Sequence, residues 1–140
     1  MNFAYELRKL LESHEGKRYK PYTDTVGKLS IGIGRNLSDN GISDTEIDLM
    51  YANDLAAATL ACIQLFSNYS RLDQVRQMVL LDMAFNLGQS KLSKFVNTIK
   101  YVEDGNFKMA AQNMLKSKWA EQTGSRATQL AAMMKTGKLQ

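Results

Sequence analysis

Between Arg18 and Gly34 the apolar residues change from the three-to-four spacing of a helix to strict alternation, and on both sides of this stretch the helical spacing returns. A chain with one such segment has no material for stacked sheets, so it must set a small antiparallel hairpin among helices. Leu29, Ile31 and Ile33 point one way while Ser30, Gly32 and Gly34 point the other, and Thr23 to Gly27 supplies the turn. A further short strand is expected before Asn40-Gly41. Ahead of the hairpin, Phe3, Leu7, Leu10, Leu11 and His14 share one helical face, and Gly16 is suited to close that first helix in the left-handed conformation, at about Glu15. The fold class is therefore α+β, mainly α.

Beyond the hairpin, Ser43 and Glu46 have the spacing of a capping box, with Ile42 and Ile47 placed to staple it. The helix they start is expected to reach about Phe66, a strut of ~30 Å that would join two lobes. Ser67 to Arg71 breaks it. From Leu72 to Leu87 the chain is apolar nearly all round until Gly88, as befits the middle of a bundle. Helices of about Ser90–Glu103, Asn106–Lys118 and Ser125–Lys135 follow, punctuated by Gly105, Gly124 and Gly137. One domain over residues 1–140 is expected: an N-terminal lobe of about 12–50 with the first helix, a connecting helix of about 43–66 and a helical lobe of about 67–140.

Several chemistries are excluded at this stage. Cys62 is the only cysteine, so it forms no internal disulfide and no paired-cysteine metal site, and it fits a small buried position on an alanine-rich helix. His14 is the only histidine, which leaves no histidine-based zinc site. No metal or cofactor is expected. Glu6, Arg8, Lys9 and Glu12 deny the N-terminus the apolar centre of a signal peptide. Met78 to Leu87, interrupted by Asp82 and Asn86, is too short to span a bilayer, so a cytosolic product is expected. The formal net charge of +4 fits either an anionic partner or a solvated surface, because Lys and Arg are scattered along the chain. No recognition helix or basic stripe with interleaved aromatics points to nucleic acid, and no membrane insertion is expected.

Three residues could share chemistry. Glu15 lies at the C-terminal end of the first helix, beside its apolar stripe, where the helix dipole and desolvation both favour the proton-bearing form that a general acid needs. It could equally be an ordinary helix-end glutamate. Asp24, between Thr23 and Thr25 in the hairpin turn, should be solvated and ionised, although turns also recruit aspartate for structural reasons. Ser30 projects from a hairpin face that otherwise carries glycine, so that a substrate or a water could approach it. Two carboxyls in different protonation states across such a surface are what acid-catalysed glycoside cleavage uses.

The letters around these residues are more specific. His14-Glu15-Gly16, eight residues from Glu15 to Asp24, five more to Ser30, and Ile31-Gly32-Ile33-Gly34 resemble the T-even-type phage lysozymes of glycoside hydrolase family 24. A second block, Met83-Ala84-Phe85-Asn86-Leu87-Gly88 and then Ser117-Lys118-Trp119, Gln122-Thr123 and Arg126-Ala127, follows the family's order. The resemblance runs from about Asn2 to Gly137. It implies two lobes with a glycan cleft between them, and a monomer that cuts the bond between N-acetylmuramic acid and N-acetylglucosamine in peptidoglycan glycan strands. By position, Glu15 would protonate the leaving oxygen. Asp24 would stabilise positive charge on the sugar and, with the Ser30 hydroxyl, hold the attacking water, inverting the anomeric carbon. Arg126 would pair with Glu15, with Thr123 in the same supporting block, while Phe85, Thr98, Asn113 and Asn36 match saccharide-contacting positions. Ser30 replaces the family's threonine, and Arg35 stands where the T-even type has histidine, so a different charge partner is expected there. Family members act at host lysis and reach the wall from the cytoplasm through a separate holin. A relative that binds glycan with little turnover is the alternative reading.

Overall fold

The computed structural model describes residues 1–140, in two compact units, Met1–Leu49 and Met50–Gln140. The first opens with helix α1, Phe3–Glu15, capped where the Asn2 side chain accepts the Tyr5 amide at 3.1 Å. At its other end the Gly16 amide closes on the Glu12 carbonyl at 2.8 Å. Gly16 has φ +79° but ψ 173°, so the helix ends in an extended turn and not in the left-handed geometry expected of it. Three antiparallel strands follow in the spatial order β1-β2-β3: β1 Arg18–Thr23, β2 Leu29–Gly32 and β3 Arg35–Asn36. Alternation to Gly34 suggested one long second strand. Gly32 and Gly34 instead take φ +69° and +71°, conformations in which a β-carbon is strained, and turn the chain back into β3. The single turn α2, Leu37–Asn40, then leads to Gly41.

Helix α3, Asp44–Leu65, starts where the capping box placed it. The Ser43 amide donates to Glu46 Oε1 at 2.9 Å, and the Glu46 amide donates to Ser43 Oγ at 3.3 Å. Its first residues belong to the first unit and its later turns to the second.

The second unit is helical throughout. A 3-10 turn at Tyr69–Arg71 precedes α4, Gln74–Leu92, which bends at Gly88 where the sequence suggested a stop. The next helix begins later than expected, as α5 Val96–Glu103, because Ser90 to Leu92 complete α4 and the Phe95 amide folds back onto the Leu92 carbonyl. The expected Asn106–Lys118 helix is two: α6 Phe107–Leu115 and α7 Lys118–Thr123. Ser117 separates them by capping α7, its hydroxyl accepting the Ala120 amide at 3.1 Å. Helix α8, Ser125–Thr136, completes the unit.

The core belongs to this second unit. Val79, Leu80 and Met83 of α4 meet Cys62 and Phe66, Val102, Met114, Trp119, Leu130 and Met134, all buried. Each large apolar side chain so buried contributes roughly 1.5–3 kcal/mol. Burial pushes the Cys62 thiol up to about 12, in keeping with a structural cysteine. Arg76 ties α4 to the end of α8, donating from Nε to the Met134 carbonyl at 2.7 Å and from Nη2 to the Lys135 carbonyl at 3.0 Å. No helix is long and apolar enough to cross a membrane.

Candidate active site

The first unit holds Glu15, Asp24 and Ser30, each at the end or edge of an element. Glu15 is the last residue of α1, and its carboxyl lies against the backbone of Gly34, where an added β-carbon would stand 2.7 Å from Oε2. Two local features make that approach possible: α1 ends at Gly16, and the β2–β3 turn carries no side chain at Gly34. Glu15 itself is exposed, as are Leu7, Leu10 and Leu11 of its helix face. The expected desolvation of its carboxyl is therefore absent, because the apolar stripe beside it does not enclose it.

Asp24 is fixed by its own turn. Its Oδ1 accepts the Val26 amide at 3.0 Å and the Lys28 amide at 2.8 Å, while its amide donates to the Lys28 carbonyl at 2.8 Å. Both side-chain bonds fall on Oδ1, so the carboxylate is oriented while Oδ2 lies outside them. The structural reason for an aspartate in this turn is thus met by one oxygen of the carboxylate.

Ser30 departs from expectation. It is opposite Tyr22 on β1 and Asn36 on β3, the middle position of the sheet, and only 3% exposed. Alternation alone placed it on an open glycine face, but the position is buried on the middle strand, against which α2 also packs. Asn36 departs too: its Oδ1 accepts the Asp39 amide at 3.0 Å and its Nδ2 donates to Asp39 Oδ2 at 2.9 Å. It caps α2, and this use of both ends of its amide competes with the saccharide contact the resemblance implies.

Arg35 has the new charge partner its identity called for. Nη2 lies 2.7 Å from Glu46 Oε2, and Nη1 donates to Glu46 Oε1 at 2.8 Å and to the Gly41 carbonyl at 3.1 Å. The Arg35 hydrogen bond, and then the capping bonds with Ser43, hold the Glu46 carboxyl down at about 2. Glu46 was legible as a cap but not as the partner of Arg35.

The second unit carries the remaining candidates. Trp119 Nε1 donates to Asn86 Oδ1 at 2.8 Å, which joins the two parts of the second motif block, and Thr123 Oγ1 donates to the Trp119 carbonyl at 2.9 Å. Phe85 is 45% exposed, its ring 6.2 Å from that of Tyr51. Thr98 and Asn113 line one recess. Arg126 gives Nε to Asp82 Oδ1 at 2.7 Å and Nη2 to the same oxygen at 2.6 Å, both residues lying in the second unit. The cause is local, since α8 packs on α4 and brings Arg126 beside Asp82. Asp82 was visible in the sequence only as an acid interrupting an apolar run. No group of three or more His, Cys, Asp or Glu is arranged to hold a metal ion.

Along the chain a small three-stranded sheet precedes a helical unit, and Glu15 and Asp24 stand at element ends within the first unit. Residues 12–135 match the phage lysozyme family, and the chain belongs to that family, which makes it a glycoside hydrolase. It is 28% identical to a probable T4-type lysozyme 2 of Dictyostelium discoideum, with 95% of each chain covered. It is 26% identical to the pre-baseplate central spike protein Gp5 of Enterobacteria phage T4, covering 96% of this chain and 28% of that one. The peptidoglycan hydrolase gp36 of Pseudomonas phage phiKMV is 26% identical, with 89% of this chain and 14% of that one covered.

Proposed function

We propose that this chain hydrolyses the β-1,4 bond between N-acetylmuramic acid and N-acetylglucosamine in bacterial peptidoglycan, as an endolysin in host cell lysis. The observation that carries the reading is the unlike treatment of two carboxyls within one small unit. Glu15 stands exposed at a helix end over a glycine turn, and Asp24 is locked by two backbone amides through one oxygen. Glu15 is the proton donor: its carboxyl is free to rotate toward the glycosidic oxygen, and the Gly34 backbone limits where it can go. Asp24 supplies a fixed negative charge for the oxocarbenium-like transition state, and a carboxylate held by the backbone costs little to reorganise as that charge develops. Its Oδ2 accepts a hydrogen bond from a water and takes that water's proton as the oxygen bonds to the anomeric carbon, opposite the leaving oxygen that Glu15 protonates, so the centre is inverted. Arg126 supports Glu15 only if it exchanges Asp82 for that partner. Phe85 offers a ring face to a sugar and Asn113 a polar contact, whereas the Thr98 hydroxyl is as buried as that of Ser30 and does not reach a ligand.

The burial of Ser30 favours a second reading, a glycan-binding protein with little turnover, since a hydroxyl that does not reach the solvent cannot help position water. Purified peptidoglycan separates the two. Hydrolysis that exposes muramic acid reducing ends, and falls by at least about a hundredfold in Asp24→Asn, supports the enzyme. Tight binding with no new reducing ends overturns it.

A further inference from the structure

Helices α6 and α8 alone line a groove of about 270 Å³. Its floor is apolar: Ala111 and Leu115 come from α6, Ala131 and Ala132 from α8, and Leu115 is 47% exposed. Two lysines also line it, Lys108 in the first turn of α6 and Lys135 in the last turn of α8. Arg76 shows that both stand at one end. Its guanidinium lies 3.8 Å from the centre of the Phe107 ring and donates to the Met134 and Lys135 carbonyls, which brings the start of α6 beside the end of α8. The charge at that end has no counter-ion. No carboxylate lines the groove, and neither lysine belongs to an ion pair. Asp73, the acid that the same end of the bundle carries, is already paired with Arg76 at 3.0 Å. Lys108 also sits where the free amides of a helix start leave a partial positive charge, a position that disfavours a cation. An apolar channel with two like charges at one mouth fits a molecule with one anionic end and one hydrocarbon end: the anion relieves the repulsion and the chain covers Leu115.

We propose that the groove between α6 and α8 binds a single-chain amphipathic anion of the fatty-acid class, its carboxylate between Lys108 and Lys135 and its chain over Ala111, Leu115, Ala131 and Ala132. The space sets the length of the chain. A cavity of ~150 Å³ takes one benzene ring, so this groove takes one chain of about eight to ten carbons and not the paired chains of a phospholipid. The site shares no residue with Glu15 or Asp24, so an occupant stabilises the helical unit by binding its folded form and neither supplies nor removes a group of the hydrolytic site.

The test is titration of the full chain with octanoate below its micellar concentration, followed by methyl and amide NMR shifts, with octanol and octyltrimethylammonium as neutral and cationic chains of the same length. Octanoate should bind about tenfold more tightly than octanol, as two exposed ion pairs allow, and the cationic chain most weakly. The shifts should centre on the methyl groups of Ala111, Leu115, Ala131 and Ala132, and the preference for the anion should shrink in high salt. In a Lys108→Gln, Lys135→Gln double variant that melts no lower than wild type, octanoate falls to the affinity of octanol. Arginine at both positions retains the preference. Ala132→Leu fills the groove and weakens octanoate and octanol alike. Equal binding of octanoate and octanol by the wild type overturns the site, as do shifts centred elsewhere or a preference that survives in the double glutamine variant. Binding to anionic phospholipid vesicles while octanoate leaves the spectrum unmoved would assign the two lysines to a membrane surface, and that result also overturns the site.

Discussion

The carboxyl of Glu15 and the backbone of Gly34 lie so close that a β-carbon on the glycine would stand 2.7 Å from Oε2 and 3.0 Å from the carboxyl carbon. The last residue of α1 and the turn between β2 and β3 therefore share one surface. Gly34 is required there twice, once for its φ of +71° and once for the space it leaves.

Gly34→Ala tests this relationship. The backbone strain costs about 1 kcal/mol, which a thermal melt reads. The Glu15 side chain can swing aside, so the larger effect falls on catalysis: kcat drops by at least about tenfold while KM changes little. A melt shift with unaltered kcat would show that the contact has no chemical role.

The Arg35–Glu46 pair gives the first unit a pH dependence. Glu46 titrates at about 2 in the folded chain against an ordinary 4.5, so the folded state favours its ionised form. The resulting stability is fully present above about 4.5 and is lost as the pH falls toward about 2. Arg35→Gln should therefore melt below the wild type at neutral pH, with the gap closing across that acid window and narrowing in high salt, since the pair is exposed. A gap that stays constant from neutral pH to pH 2 would contradict the assignment.

Arg76 should be the most costly single arginine to remove. Its side chain is 15% exposed, donates to two carbonyls at the end of α8, and sits 3.8 Å from the centre of the Phe107 ring. Arg76→Ala should destabilise by about 2–3 kcal/mol, measured by denaturant unfolding. Arg76→Lys should recover less than half of that, because an ammonium cannot span both carbonyls and the ring. Full recovery by lysine would show that charge alone matters.

What the sequence revealed and what it hid divide by range. The capping box of Ser43 and Glu46, the end of α1 at Glu15 and the burial of Cys62 each depend on neighbours within a few residues, and periodicity exposes them. The turn at Ile33-Gly34 was hidden because Gly32 and Gly34 fit the alternating pattern of a strand while taking positive φ. The burial of Ser30 was hidden because alternation says which way a side chain points, not what later elements pack against its strand. Asp82 as the partner of Arg126 lies 44 residues away, beyond any local rule. The two parts of the second motif block were legible as letters, but the 2.8 Å bond from Trp119 to Asn86 that joins them spans 33 residues and leaves no local trace.

The most direct test of Glu15 as the acid uses leaving groups that differ in their need for a proton. Wild type and Glu15→Gln are compared on natural glycan strands and on a muramyl glycoside whose aryl leaving group departs without protonation. If Glu15 donates the proton, the variant loses at least about a thousandfold in kcat on the natural strand but stays within about tenfold of wild type on the aryl glycoside. Equal losses on both substrates, with the melting temperature unchanged, would assign proton donation to another group and contradict the mechanism.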